Sequence, residues 1–328
     1  MILYDFNIKK MRRYAFEQIF ASLGWVSDYQ PAIRQARSNC LIYENIPYGP
    51  VEGRANLLDI YRPKKQYDLM PILICIHGGG FTTCSKETHR AVALGYAGRG
   101  YLVFNINYRL APKYRYPCAL EDVCRAYEWI VQNAHQYGGN ISKLAIAGES
   151  AGGNLTLALA LACCYETNID AAQRAWNTGI TPKAIKVLCG LLQVSNPERL
   201  KAERSNISFM EQFHLNVAKD VSIAYLGKNF RTFHEDRALA DPLLLLSSDK
   251  MPDRQLPVIF AMVGENDILL SDTQRLEKTL IEKNIPHDVH YYPNEDHAFH
   301  LLFWKEQARQ AWRDGFRFLS KYCDSNYH

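Results

Sequence analysis

The sequence predicts an α/β protein built on a mostly parallel central sheet with helices on both faces. Two observations carry this. From residue 71 onward, short apolar runs alternate with longer segments of helical periodicity. The clearest of these runs, 72–76, 144–147 and 258–263, are apolar at every position rather than at every second one. That pattern means burial on both faces, the condition of a parallel strand covered by helices. Strand and helix in alternation build βαβ units and a doubly wound sheet.

Taken in order, residues 1–38 are helical and amphipathic, with Tyr, Phe, Leu and Trp spaced among Lys and Arg. The runs at 41–46 and 57–61 alternate less cleanly and suit an antiparallel edge. Ile-Leu-Ile-Cys-Ile at 72–76 is a buried strand, followed by a helical pattern over 86–98. A strand at 102–108, a helix at 117–136, a strand at 144–147, a helix at 152–166 and a strand at 185–194 continue the alternation. Residues 195–240 then separate two core strands and are too long for a plain connection. Helix-like pieces fall within them at 198–211 and 216–226. The alternation resumes with a strand at 258–263, a helix at 272–284, a short strand at 289–292 and a helix at 305–322. Residues 1–38 and 195–240 are expected to fold over the sheet's carboxyl edge as a lid. The chain then divides into N-terminal cap helices at 1–38 and a main domain at 39–328 that carries the cap insertion.

Composition bounds the function. A chain of 328 residues, 48% hydrophobic and 22% charged, has room for a sizeable core. A net charge of +4 is too mild to indicate nucleic acid. The densest basic cluster, Lys9-Lys10-Met11-Arg12-Arg13, reads as a solvated helix face. The longest apolar stretch, around 155–164, falls far short of a membrane span. The first eight residues lack the order of charges and apolar length of a secretory signal, so a cytoplasmic location is expected. Nine cysteines with no Cys-x-x-Cys pair suit buried free thiols in a reducing compartment.

The chemistry begins at Ser150, the centre of Gly-Glu-Ser-Ala-Gly over residues 148–152. A strand precedes it and an Ala/Leu-rich helix follows. This is the setting of a nucleophile elbow, where flanking glycines relieve the crowding of a very tight turn. A serine nucleophile needs a base, an orienting acid and an oxyanion hole. Asp267 follows the strand at 258–263, and His297 lies in the loop after the strand at 289–292. The order Ser150, Asp267, His297 is that of α/β-hydrolases. Functional groups in such sheets gather outside the carboxyl ends of the strands. The strand at 72–76 runs into His77-Gly78-Gly79-Gly80-Phe81, where unshielded N–H groups, with that of Ala151, can donate to an oxyanion. No Gly-Lys-Ser/Thr follows, and the spacing is not that of a dinucleotide loop. Alone, Ser150 reads equally as a helix N-cap, Asp267 as a surface turn residue, His297 as a loop histidine and the glycines as a tight turn. Together, in this order and each after a strand, they read as one site. Asp272 is a rival acid, but its position suits the N-cap of the next helix. Arg109 and Asp122 are expected to form a bracing ion pair, Glu149 a structural one, and His77 to brace its loop. Asp296 is expected to point away from the site, and Cys84 to lie near the pocket without a catalytic role.

These blocks, with Asn107-Tyr108-Arg109-Leu110-Ala111-Pro112, Tyr116-Pro117 and Gly264-Glu265-Asn266-Asp267, resemble the hormone-sensitive lipase-like esterases, the bacterial acetyl esterases most of all. The similarity covers about residues 40–320. It departs at Glu149, where Asp is frequent, and at Ala298, where Gly is frequent. The resemblance implies an α/β-hydrolase fold with a helical cap and hydrolysis of small carboxylic esters without metal or cofactor. It also implies oxyanion donation from Gly79, Gly80 and Ala151, and short acyl chains. Amide or formamide cleavage by the same triad and ligand reception without catalysis are the alternatives. An interaction protein that docks through the N-terminal helices and cap is a third alternative, and a homodimer is a further expectation.

Overall fold

Eight strands form one sheet in the order β1-β2-β4-β3-β5-β6-β7-β8. They are β1 (Cys40–Pro47), β2 (Leu57–Pro63), β3 (Met70–Ile76), β4 (Leu102–Ile106), β5 (Gly139–Glu149), β6 (Ala184–Leu188), β7 (Val258–Gly264) and β8 (His287–Tyr292). β1 pairs antiparallel with β2, and β2 antiparallel with β4. All the remaining pairings are parallel. The structure is a computed structural model that describes residues 30–65, 69–201, 209–231 and 235–323.

The residues explain this arrangement. β3, β4 and β6 are buried at every position, as continuous apolar runs demand. The period of two splits their side chains between two cores. Ile72, Ile74 and Ile76 face one cluster with α3 (Cys118–Asn133) and α4 (Ala151–Cys164). Leu73 and Cys75 face the other, with α1 (Pro31–Ser38), α2 (Arg90–Ala97) and α9 (Glu306–Cys323). α4 is buried along its whole length, which is why its sequence is apolar on every side rather than on one stripe. The outer helices are α5 (Asp170–Asn177) and α8 (Leu270–Glu282). Within the expected cap insertion lies α6 (Phe209–Leu226); α7 (Pro242–Ser247) follows it, with Leu243 and Leu246 in the core.

Five expectations change. The strand expected over 185–194 ends at Leu188, because Cys189 turns the backbone left-handed at a φ of +38°. The helix expected from 86 starts at Arg90, since Lys86 and His89 are drawn inward to Asp59 and Glu149. In the cap, a 3₁₀ turn at Pro197–Leu200 replaces the start of the first expected helix. α6 runs unbroken through the gap expected between 211 and 216, because no Gly or Pro interrupts it until Gly227, whose φ is +90°. Finally, residues 31–38 are not part of a lid. Ile33 and Ala36 pack into the core beside α2, with Ala36 against Gly98. The rest of the expected N-terminal cap, residues 1–29, lies outside the described residues.

Candidate active site

Ser150 sits between the end of β5 and the start of α4 with a φ of +55° and a ψ of −116°. A non-glycine residue in this region stores strain of about 1–3 kcal/mol, held in place by its surroundings. Here the Ser150 N–H donates to Leu188 O at 2.9 Å, and its carbonyl accepts from Asn154 and Leu191. A Cβ on Gly148 would strike the carbonyl of Gly152, and one on Gly152 the carbonyl of Ile76. The glycines are therefore demanded by close backbone approach. Ser150 occupies the N-cap position but makes no side-chain cap bond. Its Oγ instead meets His297 Nε2 at 3.1 Å.

His297 and Asp267 arrive from two adjacent strands. The loops after β7 and β8 are tied by Glu265 N–H to Tyr292 O at 2.9 Å and Asn266 N–H to Glu295 O at 3.0 Å. This brings His297 Nδ1 to 2.8 Å from Asp267 Oδ2, while Asp267 Oδ1 accepts the Leu269 N–H at 2.8 Å. Burial opposes a charge on the imidazole, but the Asp267 carboxylate outweighs it and raises the His297 pKa well above 6.5. His297 keeps an exposed face, whereas Asp267 is buried. Ala298 adopts a φ of +58°, the left-handed region that favours glycine. Asp296 is exposed.

The glycine loop is held from below. Gly79 and Gly80 have φ of +97° and +59°. Gly79 O accepts N–H bonds from Thr82 and Thr83 at 3.0 and 3.1 Å, which curls the loop into a tight turn. Gly78 N–H donates to Glu149 Oε1 at 2.5 Å, and the same carboxylate meets His89 Nε2 at 2.6 Å. Both partners are buried. Burial penalises each charge, but mutual attraction lowers the Glu149 pKa and raises that of His89. His77 stacks on Tyr108 at 4.2 Å and donates from Nδ1 to Gly78 O at 2.8 Å, while Tyr108 OH donates to His77 O at 2.8 Å. Burial and the neighbouring His89 push its pKa down to about 4, so it stays neutral. Arg109 grips Asp122 through both its backbone N–H and its Nε at 2.8 Å, as the sequence suggests.

The rival acid lies elsewhere. Asp272 sits inside the first turn of α8 rather than at its N-cap, which is Leu269. Its carboxylate binds Arg199 at 2.5 and 3.0 Å and accepts the Leu192 N–H at 2.8 Å. It anchors the cap. Cys84 is buried against Thr83, with its sulfur 3.8 Å from the Thr83 hydroxyl.

Three features escape the sequence reading. His89 is the buried partner of Glu149 and comes from the start of α2, 60 residues away in the chain. Val221 of α6 overhangs the glycine loop; a methyl added to Gly80 would come within 2.8 Å of its Cγ2. The thiol of Cys189, directly after β6, lies with Asp267 and His297 in a group whose ligand atoms are all within 4.8 Å of one another. Its place at the carboxyl end of a parallel strand is the signal that flags it.

The α/β-hydrolase fold family matches residues 73–301. An acetyl esterase of Salmonella dublin is 32% identical over 283 residues, 83% of this chain and 77% of that protein. A carboxylesterase of Mycobacterium tuberculosis is 38% identical over 102 residues, so the chain spans about a third of that relative, 32% of its length. A solved esterase from Pyrobaculum calidifontis, 22% identical, superposes with a TM-score of 0.71 over 98% of this chain and 94% of that one. The chain belongs to the α/β-hydrolase family, in the hormone-sensitive lipase-like group whose motifs it carries.

Proposed function

We propose that this protein hydrolyses carboxylic esters of short acyl chain through an acyl-enzyme on Ser150. The observation that carries the reading is the continuous chain from Ser150 Oγ through His297 to Asp267, with contacts of 3.1 and 2.8 Å. His297 Nε2 takes the serine proton as Oγ attacks the ester carbonyl. Asp267 fixes the tautomer that leaves Nε2 free to accept and stabilises the imidazolium that forms. The N–H groups of Gly79, Gly80 and Ala151 stabilise the oxyanion. His297 then protonates the leaving alcohol, and water repeats the cycle on the acyl-enzyme. Base, nucleophile and oxyanion donors are all supplied by the chain, so the reaction requires neither metal nor cofactor.

Val221 supports the short acyl chain, since it narrows the space beside Gly80. Behind it, Phe81 stacks on Tyr225 of α6 at 3.8 Å, fixing cap against loop. The substrate is a small molecule, and no helix among the described residues is long and apolar enough to cross a membrane. The test is a series of p-nitrophenyl esters from acetyl to dodecanoyl, with an anilide matched to the best of them. Rates that peak at the short end, favour ester over anilide and vanish in Ser150→Ala are expected. A maximum at long chains overturns the acyl preference, and a faster anilide overturns the ester assignment.

A further inference from the structure

The ester chemistry makes no use of Cys189, yet the fold places its thiol against the base and the acid. Cys189 follows the last residue of β6 and holds a φ of +38°, a costly backbone for a residue with a Cβ. Its N–H donates to Met262 O at 2.7 Å, which pins the turn. The side chain is buried, and its sulfur, an Asp267 oxygen and a His297 ring nitrogen all lie within 4.8 Å of one another. A thiolate, an imidazole and a carboxylate are a zinc-type donor set. Around a tetrahedral zinc, with bonds of about 2.0–2.3 Å, such donors stand roughly 3.3–3.7 Å apart. The longest of these separations needs to close by about an ångström, while His297 Nδ1 and Asp267 Oδ2, 2.8 Å apart, need to open by about half an ångström. His297, half-open to solvent, gives a cation its way in.

We propose that Cys189, His297 and Asp267 form a binding site for a thiophilic divalent cation, zinc or cadmium, whose occupancy switches the hydrolase off. The inhibitory consequence rests on His297 acting as the base; the binding does not. The cation takes Cys189 Sγ as thiolate, and the thiol proton leaves to solvent. It takes His297 through Nδ1, the nitrogen already 2.8 Å from Asp267. The Nδ1 proton is displaced, and the neutral ring carries its hydrogen on Nε2 instead. The Asp267 oxygen that accepted the Nδ1 proton becomes the third ligand. Nε2 then has no lone pair for the proton of Ser150, so the serine is not activated. The cation is an inhibitor here and not a cofactor, because it consumes the base that catalysis needs.

Cadmium reports on this site directly through the ultraviolet charge-transfer band of a cadmium–thiolate bond. The full chain has nine cysteines, so variants must locate the signal. Titration of the whole protein with cadmium is expected to give one equivalent of band, absent in Cys189→Ser and weakened in His297→Asn. Zinc is expected to inhibit p-nitrophenyl acetate hydrolysis reversibly, with activity restored by a chelator. Scored against each protein's own metal-free rate, the inhibitory concentration should rise at least about 10-fold in Cys189→Ser. No band in the wild type, or an equal band in Cys189→Ser, overturns the site. A cadmium band that depends on Cys189 in a protein without esterase activity would keep the site and remove only the proposed function.

Discussion

The elbow with its glycine loop and the α6 segment over it differ in how far they are buried. Beneath the elbow, Glu149, His89 and His77 are buried ionisable groups satisfied by short contacts, and the glycines are locked by backbone approach. The segment above it joins the core through Tyr225, Leu226 and Phe230 and is tied by polar anchors of its own. Asp272 binds Arg199, Asp241 accepts the N–H groups of Val194 and Ser195 at 2.5 and 3.0 Å, and Ser222 donates to Val194 O at 2.6 Å. Much of α6 is only half-buried. The difference separates two tasks. Transition-state stabilisation requires donors fixed before the reaction, which a buried, over-determined network provides. Acyl selection requires only a wall at the right distance, which a single cap side chain can supply.

The comparison breaks if the machinery tolerates change as the cap does. Asp267→Asn carries the largest expected effect, a loss of about 10⁴-fold in kcat, because the amide favours the wrong imidazole tautomer. The surviving activity has a signature. His297 works only when neutral, so rates fall as pH drops through its pKa. Asp267 raises that pKa, so its removal should move the acid limb of the kcat/KM profile to lower pH. An unmoved limb in Asp267→Asn would separate Asp267 from the base.

Glu149→Ala should come next, costing about 3–5 kcal/mol of stability by stranding a buried His89 charge. It should also cost roughly 10²-fold in rate as Gly78 loses its acceptor and the loop loosens. The sign with pH is fixed by both partners. Glu149 is depressed below 4.5, so its contribution is present above that value and is lost as pH falls through its folded pKa. His89 is raised above 6.5, so its contribution is complete below that value and is lost as pH rises through its folded pKa. The stability gap between wild type and Glu149→Gln, measured by urea unfolding, should be widest between 4.5 and 6.5. A gap that widens steadily into alkali would contradict the pair.

Val221→Ala is the smallest change and the sharpest probe of the cap. Each added methylene buried is worth about 0.8 kcal/mol, so opening this wall should shift the preferred acyl chain by one or two carbons while acetyl ester turnover changes little. A tenfold loss on acetyl esters would mean that the cap helps to build the machinery after all.

The same division governs what the sequence reveals. The strands, the elbow and the three residues Ser150, Asp267 and His297 are legible because each rests on local chemistry: an apolar run, a glycine, a strand end. His89 is not, because its partner Glu149 lies 60 positions away and nothing at either place names the other. Asp272 looks like a helix cap locally, but Arg199, across the cap insertion, recruits it instead. Val221 is one apolar residue among many on α6, and only the overlay of α6 on the glycine loop gives it a role.

The central claim is that Ser150 is an activated nucleophile. A fluorophosphonate probe, followed by peptide mass mapping, reads this without assuming any substrate. The account predicts one equivalent of label on Ser150, lost in Ser150→Ala and strongly slowed in His297→Asn. Label on another residue, or none on the folded wild type, would contradict it.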